Sequence, residues 1–567
     1  MHLCCYVHFH DPALRKRTWL RLREEFLWKN TRNVTNYGKN SKRNPFFNYL
    51  FLSFFLSWLS FISVAMISRI VDHFNNRLRS PTSELEARYT SLPNETVQLR
   101  GLPSDVNENP VSGELTFTPD EAISYIGFGM FHVKLVLVLG LVWMVEGMEI
   151  FVLSVLAPYL RCKWSLSYVE ESLLPVLTSL GMMLSAPCWG WICDVYGRKK
   201  GLYISSVWFM YFALLSTFSP NYKWLLFLRF LVGVGIGCLP QVSTILAEYT
   251  PAKGRGKVLT FITVFWSIGF MFAASLSLWL MVDYGFRVLL AAVCIPGLLF
   301  LWSFWWMPES FRFYAASGQT AETLKMLRHI AKVNGTNLPP GELKVPESQA
   351  NRRGKLVDLM RGGYLRVTVT LWVIWFISIM MYYCSVYVTT EIFQRYDDNI
   401  CHETSSGQTL NCTCKVFGQK DYLDVIWTSA GEFPGVMITL LFIDSLGRKR
   451  TMCVLALLAI AMQSLLFLCL NRTGATVILM AIRCALVGYS SIVFVYTPEA
   501  YPTSVRAIGM GSGYFFGRIG MLVAPLVAET LFNVSFGATK YFFVFSLVIG
   551  FFAALSLPFD TKDRDFI

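Results

Sequence analysis

Apolar stretches of about twenty residues, each long enough to cross a bilayer as a helix, recur along most of the chain. From residue 133 onward the pattern predicts twelve helices, over 133–158, 172–193, 201–219, 223–247, 257–280, 287–307, 367–388, 422–443, 452–470, 474–497, 507–530 and 540–557. A polar stretch with helical periodicity over Ala321–Val333 falls between the sixth and seventh and divides the array six plus six. The pattern reads as an all-α polytopic membrane protein. Its expected parts are an N-terminal region 1–130, a six-helix half 131–310, a central loop 311–366, a second six-helix half 367–557 and a tail 558–567.

The two halves repeat each other. Asp194-x-x-Gly197-Arg198-Lys199 recurs 250 residues later as Asp444-x-x-Gly447-Arg448-Lys449, and Glu248-x-x-Pro251-x-x-x-Arg255 recurs 251 residues later as Glu499-x-x-Pro502-x-x-x-Arg506. Pro308, at the end of the sixth helix, is matched by Pro558 at the end of the twelfth. Parallel six-helix repeats are a way of building secondary transporters, with the substrate site between the halves near the bilayer midplane. Basic residues set orientation. Arg198, Lys199 and Lys200, with Arg448, Lys449 and Arg450, crowd two tight turns, which places those turns, the central loop and the tail on the cytoplasmic side.

Ahead of the first helix, residues 14–43 are strongly basic and Phe46–Ile67 is apolar and free of charge. Insertion of that run with its basic flank inside would invert the Gly-Arg-Lys turns. The expectation is therefore a segment that lies on the surface, stays uninserted or is cleaved, followed by a disordered linker over 70–120.

Composition agrees with a membrane chain: 54% of the 567 residues are hydrophobic and 15% charged, against about 25% charged in soluble proteins. That balance excludes a disordered, collagenous or disulfide-rich secreted protein. The net charge of +13 sits mostly in loops between apolar runs, so no nucleic-acid partner is expected. Most of the 14 Cys lie singly in apolar runs and read as small buried hydrophobes, whereas Cys401, Cys412 and Cys414 share one loop and suggest a disulfide whose pairing is open. The 7 His have no metal-ligand spacing. Gly233-x-Gly235-x-Gly237 sits inside an apolar helix, which points to helix packing rather than a dinucleotide. With no phosphate-binding glycine loop or nucleophile triad either, the expectation is no enzyme, no cofactor and no metal.

Acids inside the apolar runs carry the candidate chemistry. Glu146 and Glu149 are three apart on one face of the first helix, and carboxylates at such depth face a cavity by default. Two so close are expected to share a proton, which suits proton coupling or a cationic substrate. Glu432, beside Pro434 and Gly435, is a similar candidate. Arg518 reads as the basic residue deep in the second half, binding an anionic group or, as expected here, neutralising Glu432. Trp143, Tyr382, Tyr383 and Trp427 are aromatic candidates for lining the cavity or for packing.

Gly190-x-x-x-Asp194-x-x-Gly197-Arg198-Lys199-Lys200 resembles the signature loop of the major facilitator superfamily. The resemblance implies a twelve-helix transporter in which Asp194 and Arg198 latch the closed cytoplasmic gate; the second copy departs by carrying Leu440 where the pattern has glycine. Arg229-Phe-Leu-Val-Gly-Val-Gly-Ile-Gly, Glu248-Tyr-Thr-Pro-Ala-Lys-Gly-Arg255 and Pro308-Glu309-Ser310-Phe-Arg312 resemble the sugar and organic-ion branch. There Glu and Arg at helix ends form ion pairs, static or changing with the transport cycle. Gly140-Leu-Val-Trp143-Met-Val-Glu146-Gly-Met-Glu149, Thr428-Ser-Ala-Gly-Glu432-Phe-Pro-Gly435 and Val495-Tyr-Thr-Pro-Glu499-Ala-Tyr-Pro502 are similar to the synaptic vesicle 2-related group within that branch. Glu146 stands where that group more often has Asp. The loop over 391–420 is shorter than the long lumenal insertion of the synaptic vesicle glycoprotein 2 relatives.

The resemblance implies alternating-access transport of a small organic ion, with protons as the candidate coupling ion. The setting would be a cytoplasmic, synaptic-type vesicle or the plasma membrane. The second reading is a transporter-like vesicle protein that regulates trafficking or exocytosis without transport. Substrate and lipid bilayer are the expected partners; oligomeric state is not legible.

Orientation is directly testable. Single cysteines placed in the central loop should label from the cytoplasmic side only, and Asn411, in the sequon Asn411-Cys-Thr413, should carry a glycan while Asn334 stays bare. Labelling of the central loop from the opposite side, or a glycan on Asn334, contradicts the topology.

Overall fold

The computed structural model describes residues 116–251, 254–344, 356–360, 364–395, 417–443, 445–468, 471–502 and 505–561. Asp444, Asn411, Cys401, Cys412, Cys414 and the run Phe46–Ile67 lie outside them. The described chain is nearly all helix. Among the described residues, ten helices are long and apolar enough to cross a membrane. In the first half these are Met130–Trp164, Tyr168–Tyr196, Tyr222–Tyr249, Arg255–Met281 and Phe286–Ser303, which are the first, second, fourth, fifth and sixth helices. In the second half they are Leu365–Gln394, Gln419–Phe442, Arg472–Ala500, Ile508–Leu531 and Gly537–Ser556, which are the seventh, eighth, tenth, eleventh and twelfth.

The third place in each half is filled by Arg198–Thr217 and Arg448–Leu465, whose first turns hold the basic clusters that lower their apolar character. Together they make the twelve helices of the major facilitator fold, six in each half. The polar segment between the halves forms a helix over Thr320–Asn334, close to the stretch its periodicity marked.

Local sequence sets the helix ends. Ser167 and Glu170 form a reciprocal capping box that starts the second helix, and Asn221 accepts from the Trp224 N–H to start the fourth. The Gly-Arg-Lys turns need their glycines: Gly197 has φ +103° and Gly447 φ +89°, in the region that side chains avoid. Directly after each, a carboxylate from the end of the same half caps the next helix. Glu309 accepts from the Lys199 N–H at 3.1 Å, and Asp560 accepts from the Arg448 N–H at 2.9 Å. The 250-residue repeat is thus a repeat of structure. Asn334 is tied into the start of the first helix, accepting from the Phe131 N–H at 2.9 Å and donating to the Gly127 carbonyl at 3.3 Å.

Packing between helices depends on small residues, because lipid gives apolar helices little reason to associate. A side chain at Gly233, in the fourth helix, would collide with the backbone carbonyl of Thr178 in the second. This agrees with the packing role read from the glycine run. Gly190 is different: a Cβ there would meet nothing nearer than the Gln241 amide at 3.7 Å, so close helix approach does not require it. The outward faces carry bulky apolar side chains such as Trp302, Trp305 and Phe545, fit for lipid.

Gly233→Val should overpack this contact and cost about 1–3 kcal/mol, read as a lower Tm of the purified protein. Gly190→Ala should change it little. Equal effects at the two sites would contradict this packing account.

Candidate functional site

Between the halves, midway along the helices, lies a cavity of about 100 Å³. Trp143 and Glu146 reach it from the first helix, Trp266 and Ser267 from the fifth, Trp375, Tyr382 and Tyr383 from the seventh, and Phe494, Tyr514 and Arg518 from the tenth and eleventh. The wall is a mesh of rings. Trp266 sits 6.1 Å from Trp143 and 6.3 Å from Tyr382, and Trp375 sits 4.6 Å from Phe494 and 5.0 Å from Tyr514. Trp427, in contrast, is 59% exposed on the outside and takes no part.

Three acid–arginine pairs surround this mesh. Glu146 accepts from Arg518 at 3.2 Å, joining the first and eleventh helices and therefore the two halves. Glu149 accepts from Arg229 of the fourth helix, and Arg229 also donates to Ser216 at 2.9 Å. Glu432 pairs with Arg483 of the tenth helix at 3.4 Å, and the same guanidinium donates to Ser429 at 2.7 Å. Glu432 further accepts from Tyr382 and from Ser267, each at 2.9 Å, while the Trp266 indole donates to the Tyr382 hydroxyl at 2.7 Å. Ser267 and Trp266 belong to the first half and Tyr382 and Glu432 to the second, so this chain of hydrogen bonds also crosses the divide. Burying a charge costs several kcal/mol unless it is matched and hydrogen-bonded, and all three carboxylates are.

Two expectations change. Glu146 and Glu149 are each bonded to a separate arginine. Spacing of i, i+3 aligns their Cβ atoms, but the long side chains diverge, one to Arg518 across the divide and one to Arg229 within its half. Arg518 does not neutralise Glu432, because Arg483 does. Arg483 was the residue sequence reasoning missed. Its signal was a lone arginine inside the apolar run 474–497, the same signal that marks Arg229 in the fourth helix. Arg229, the first residue of the glycine-rich stretch that resembles the sugar and organic-ion branch, lies in the interior beside Glu149.

The helix-end motifs assemble within each half. Arg198 binds Glu248 at 2.8 Å and Gln241 at 2.6 Å, with Asp194 a longer partner at 3.6 Å. Arg448 binds Glu499 at 3.0 Å. Arg255 donates to the Thr250 carbonyl and Arg506 to the Tyr501 carbonyl, the same bond in each repeat. Arg312 pairs with Asp120, on the short helix before the first span, at 2.7 Å. At the far end of the first helix, Arg161 binds Glu171 of the second helix at 2.7 Å and Glu391 of the seventh at 3.5 Å, another contact between halves that the sequence did not single out.

The comparisons with known proteins agree with this architecture. The sugar (and other) transporter family matches residues 151–567. Synaptic vesicle 2-related protein from Bos taurus is 40% identical over 453 residues, covering 79% of this chain and 82% of that one. The putative transporter svop-1 of Caenorhabditis elegans is 36% identical over 490 residues, covering 86% and 93%. Among solved structures, the proton:xylose symporter XylE bound to 6-bromo-6-deoxy-D-glucose superposes with a TM-score of 0.58 at 16% identity, over 77% of this chain and 98% of that one. A partially occluded inward-open form of XylE from E. coli gives 0.59 at the same identity, over 77% and 99%. The fold is shared at that distance.

The Glu432–Arg483 pair gives a stability test. Arg483→Leu leaves a buried carboxylate without its guanidinium and should cost about 3–5 kcal/mol, while Glu432→Gln with Arg483→Leu should recover much of the lost Tm. A double variant no more stable than Arg483→Leu alone contradicts the pairing. Sequence likeness, two six-helix halves and a cavity between them together place the chain in the sugar (and other) transporter family of the major facilitator superfamily, on its synaptic vesicle 2-related branch.

Proposed function

We propose that this chain carries a small organic ion across a vesicle membrane by alternating access, with proton binding at the first helix as the coupling step. The observation that carries the reading is the Glu146–Arg518 pair, contributed by opposite halves to the wall of one aromatic cavity. An ion pair across the divide must separate when the halves move apart, so any ligand that competes for either member biases the conformational equilibrium.

The cavity's polar groups favour a substrate that brings an acceptor. Trp143 Nε1 is buried against the cavity without a hydrogen-bond partner. Besides Glu146, Arg518 donates to the sulfurs of Met182 and Met521, at 3.2 and 3.1 Å, which are weak acceptors. A carboxylate or similar group satisfies both donors better, and a flat apolar body suits the surrounding rings. At about 100 Å³ the chamber is smaller than ordinary ligand pockets, which start near roughly 300 Å³. Substrate entry therefore requires the halves to part.

Glu149 is the proton site in this scheme. Its carboxylate accepts from Arg229, and a conformation that separates the two would leave the buried carboxyl without that partner. The Gly-Arg-Lys turns and central segment face the cytoplasm, and Arg198–Glu248 and Arg448–Glu499 stiffen the gate at that end.

Uptake of labelled organic anions, cations and sugars into proteoliposomes, with and without a pH gradient, tests the reading. Glu149→Gln should lose gradient-driven accumulation and keep exchange, whereas Glu146→Gln should be milder. A double Glu146→Gln, Glu149→Gln variant with unchanged pH-dependent uptake contradicts the coupling. No transport of any class favours a vesicle protein that does not carry solute.

A further inference from the structure

The first helix ends on a cysteine whose sulfur is taken. Cys162 stands two residues before the helix closes at Trp164, and it is disulfide-bonded. The seven other cysteines among the described residues are free thiols. The partner is therefore one of Cys4, Cys5, Cys401, Cys412, Cys414 and Cys469, which lie outside the described residues. Position separates these candidates. Cys4 and Cys5 belong to the chain that enters the first helix from its opposite end, where Asp120 bonds Arg312. Cys469 follows the ninth helix, whose end meets the twelfth: the Phe467 ring lies 4.9 Å from that of Tyr541. The first helix packs instead against the second, fifth and sixth helices of its own half and the seventh of the other.

Three cysteines remain, all in the loop between the seventh and eighth helices. Arg161, next to Cys162, bonds Glu391 at 3.5 Å, so the end of the first helix sits beside the last turns of the seventh. The loop leaves the seventh helix at Arg395 and enters the eighth at Gln419. Cys401 follows Arg395 by six residues, a reach of about 20 Å when extended. Cysteine parity agrees. Three thiols in one loop cannot all pair with one another, and Cys162 brings the number to four, enough for two disulfides. The second helix runs from this end to its Gly-Arg-Lys turn, so Cys162 is on the side away from the basic turns, the side on which disulfides persist.

We propose that Cys162 is joined to a cysteine of the loop 396–416, so that a disulfide tethers the two halves to each other at the non-cytoplasmic end. The two thiols are oxidised together: each gives up its proton, one sulfur–sulfur bond forms, and the disulfide of a secretory-pathway oxidoreductase takes up the two electrons and two protons as a pair of thiols. The bond spans the rest of the first half and the central loop, and it restricts the unfolded chain accordingly. It also keeps Arg161 within reach of Glu391, since a tethered partner is present at high effective concentration. The halves keep their freedom to rock around the central site, while their outer ends stay within one loop length. The tether does not depend on which solute the cavity takes.

The test uses the full chain with a protease site inserted in the central loop, made in cells that route it through the secretory pathway. The protein is alkylated with N-ethylmaleimide to stop thiol exchange, cut, and run on denaturing gels. Without reductant the two halves should migrate as one chain, and dithiothreitol should release two fragments; this comparison needs no cysteine variant. Cys162→Ser should release the fragments without reductant, as should the triple variant Cys401→Ser, Cys412→Ser, Cys414→Ser. Cys238→Ser, which removes a free buried thiol of the same half, should leave them joined. Peptide mapping of the joined band should recover the Cys162 peptide bonded to one from the loop. Fragments that separate without reductant when all cysteines are in place, a band at twice the chain's mass instead of the joined chain, or halves that stay joined in the triple loop variant would each overturn the proposal.

Discussion

A carboxylate in the middle of a bilayer persists only with a partner, and the need for partners organises the interior of this protein. Glu146, Glu149 and Glu432 are almost wholly buried, and each meets a guanidinium from a different helix. Each pair therefore fixes a distance between two helices, and one of them, Glu146–Arg518, fixes a distance between the two halves. The aromatic residues fill the space the pairs enclose, so the cavity is the gap left around matched charges. Links that cross at the cavity, Glu146–Arg518, Ser267–Glu432 and Trp266–Tyr382 among them, belong to the surfaces where the two halves meet.

The same economy of charge holds at the helix ends, with a different outcome. Arg198–Glu248 and Arg448–Glu499 lie within their own halves. They stiffen each six-helix unit as a body and do not tie the units together. Capping of Lys199 by Glu309 and of Arg448 by Asp560 closes each half on itself, linking its last helix to its third. Rigid halves with few crossing bonds suit a motion in which the units rock against each other around a central site. Among the described residues, contacts that cross the divide include those at the centre, Arg161–Glu391 at one end and the packing around Gly256 at the other.

The fold was legible because its signals are local or periodic. Apolar run length gives the helices, and the repeated turn chemistry at Gly197 and Gly447 gives the two halves. The site was legible in part. Glu146, Trp143, Tyr382, Tyr383 and Arg518 do line one cavity. The partners were not legible, since a long side chain at a fixed Cβ position can reach several neighbours, and which one it meets depends on how helices distant in sequence pack. Glu146 and Glu149 diverge for that reason. Arg483 was passed over because a single arginine does little to the hydropathy of a long apolar run, although its depth there marks it as strongly as Glu432. Trp266 and Trp375, which line the cavity as Trp427 does not, look the same in sequence as lipid-facing tryptophans.

The central claim is that Glu146 and Arg518 are coupled across the divide between halves. A double-mutant cycle with Glu146→Gln, Arg518→Gln and the double variant, read by thermal or denaturant unfolding in a fixed lipid, measures that coupling directly. The account predicts an interaction of about 1–3 kcal/mol, with the double variant more stable than the two single losses would sum to. Strictly additive losses would contradict it.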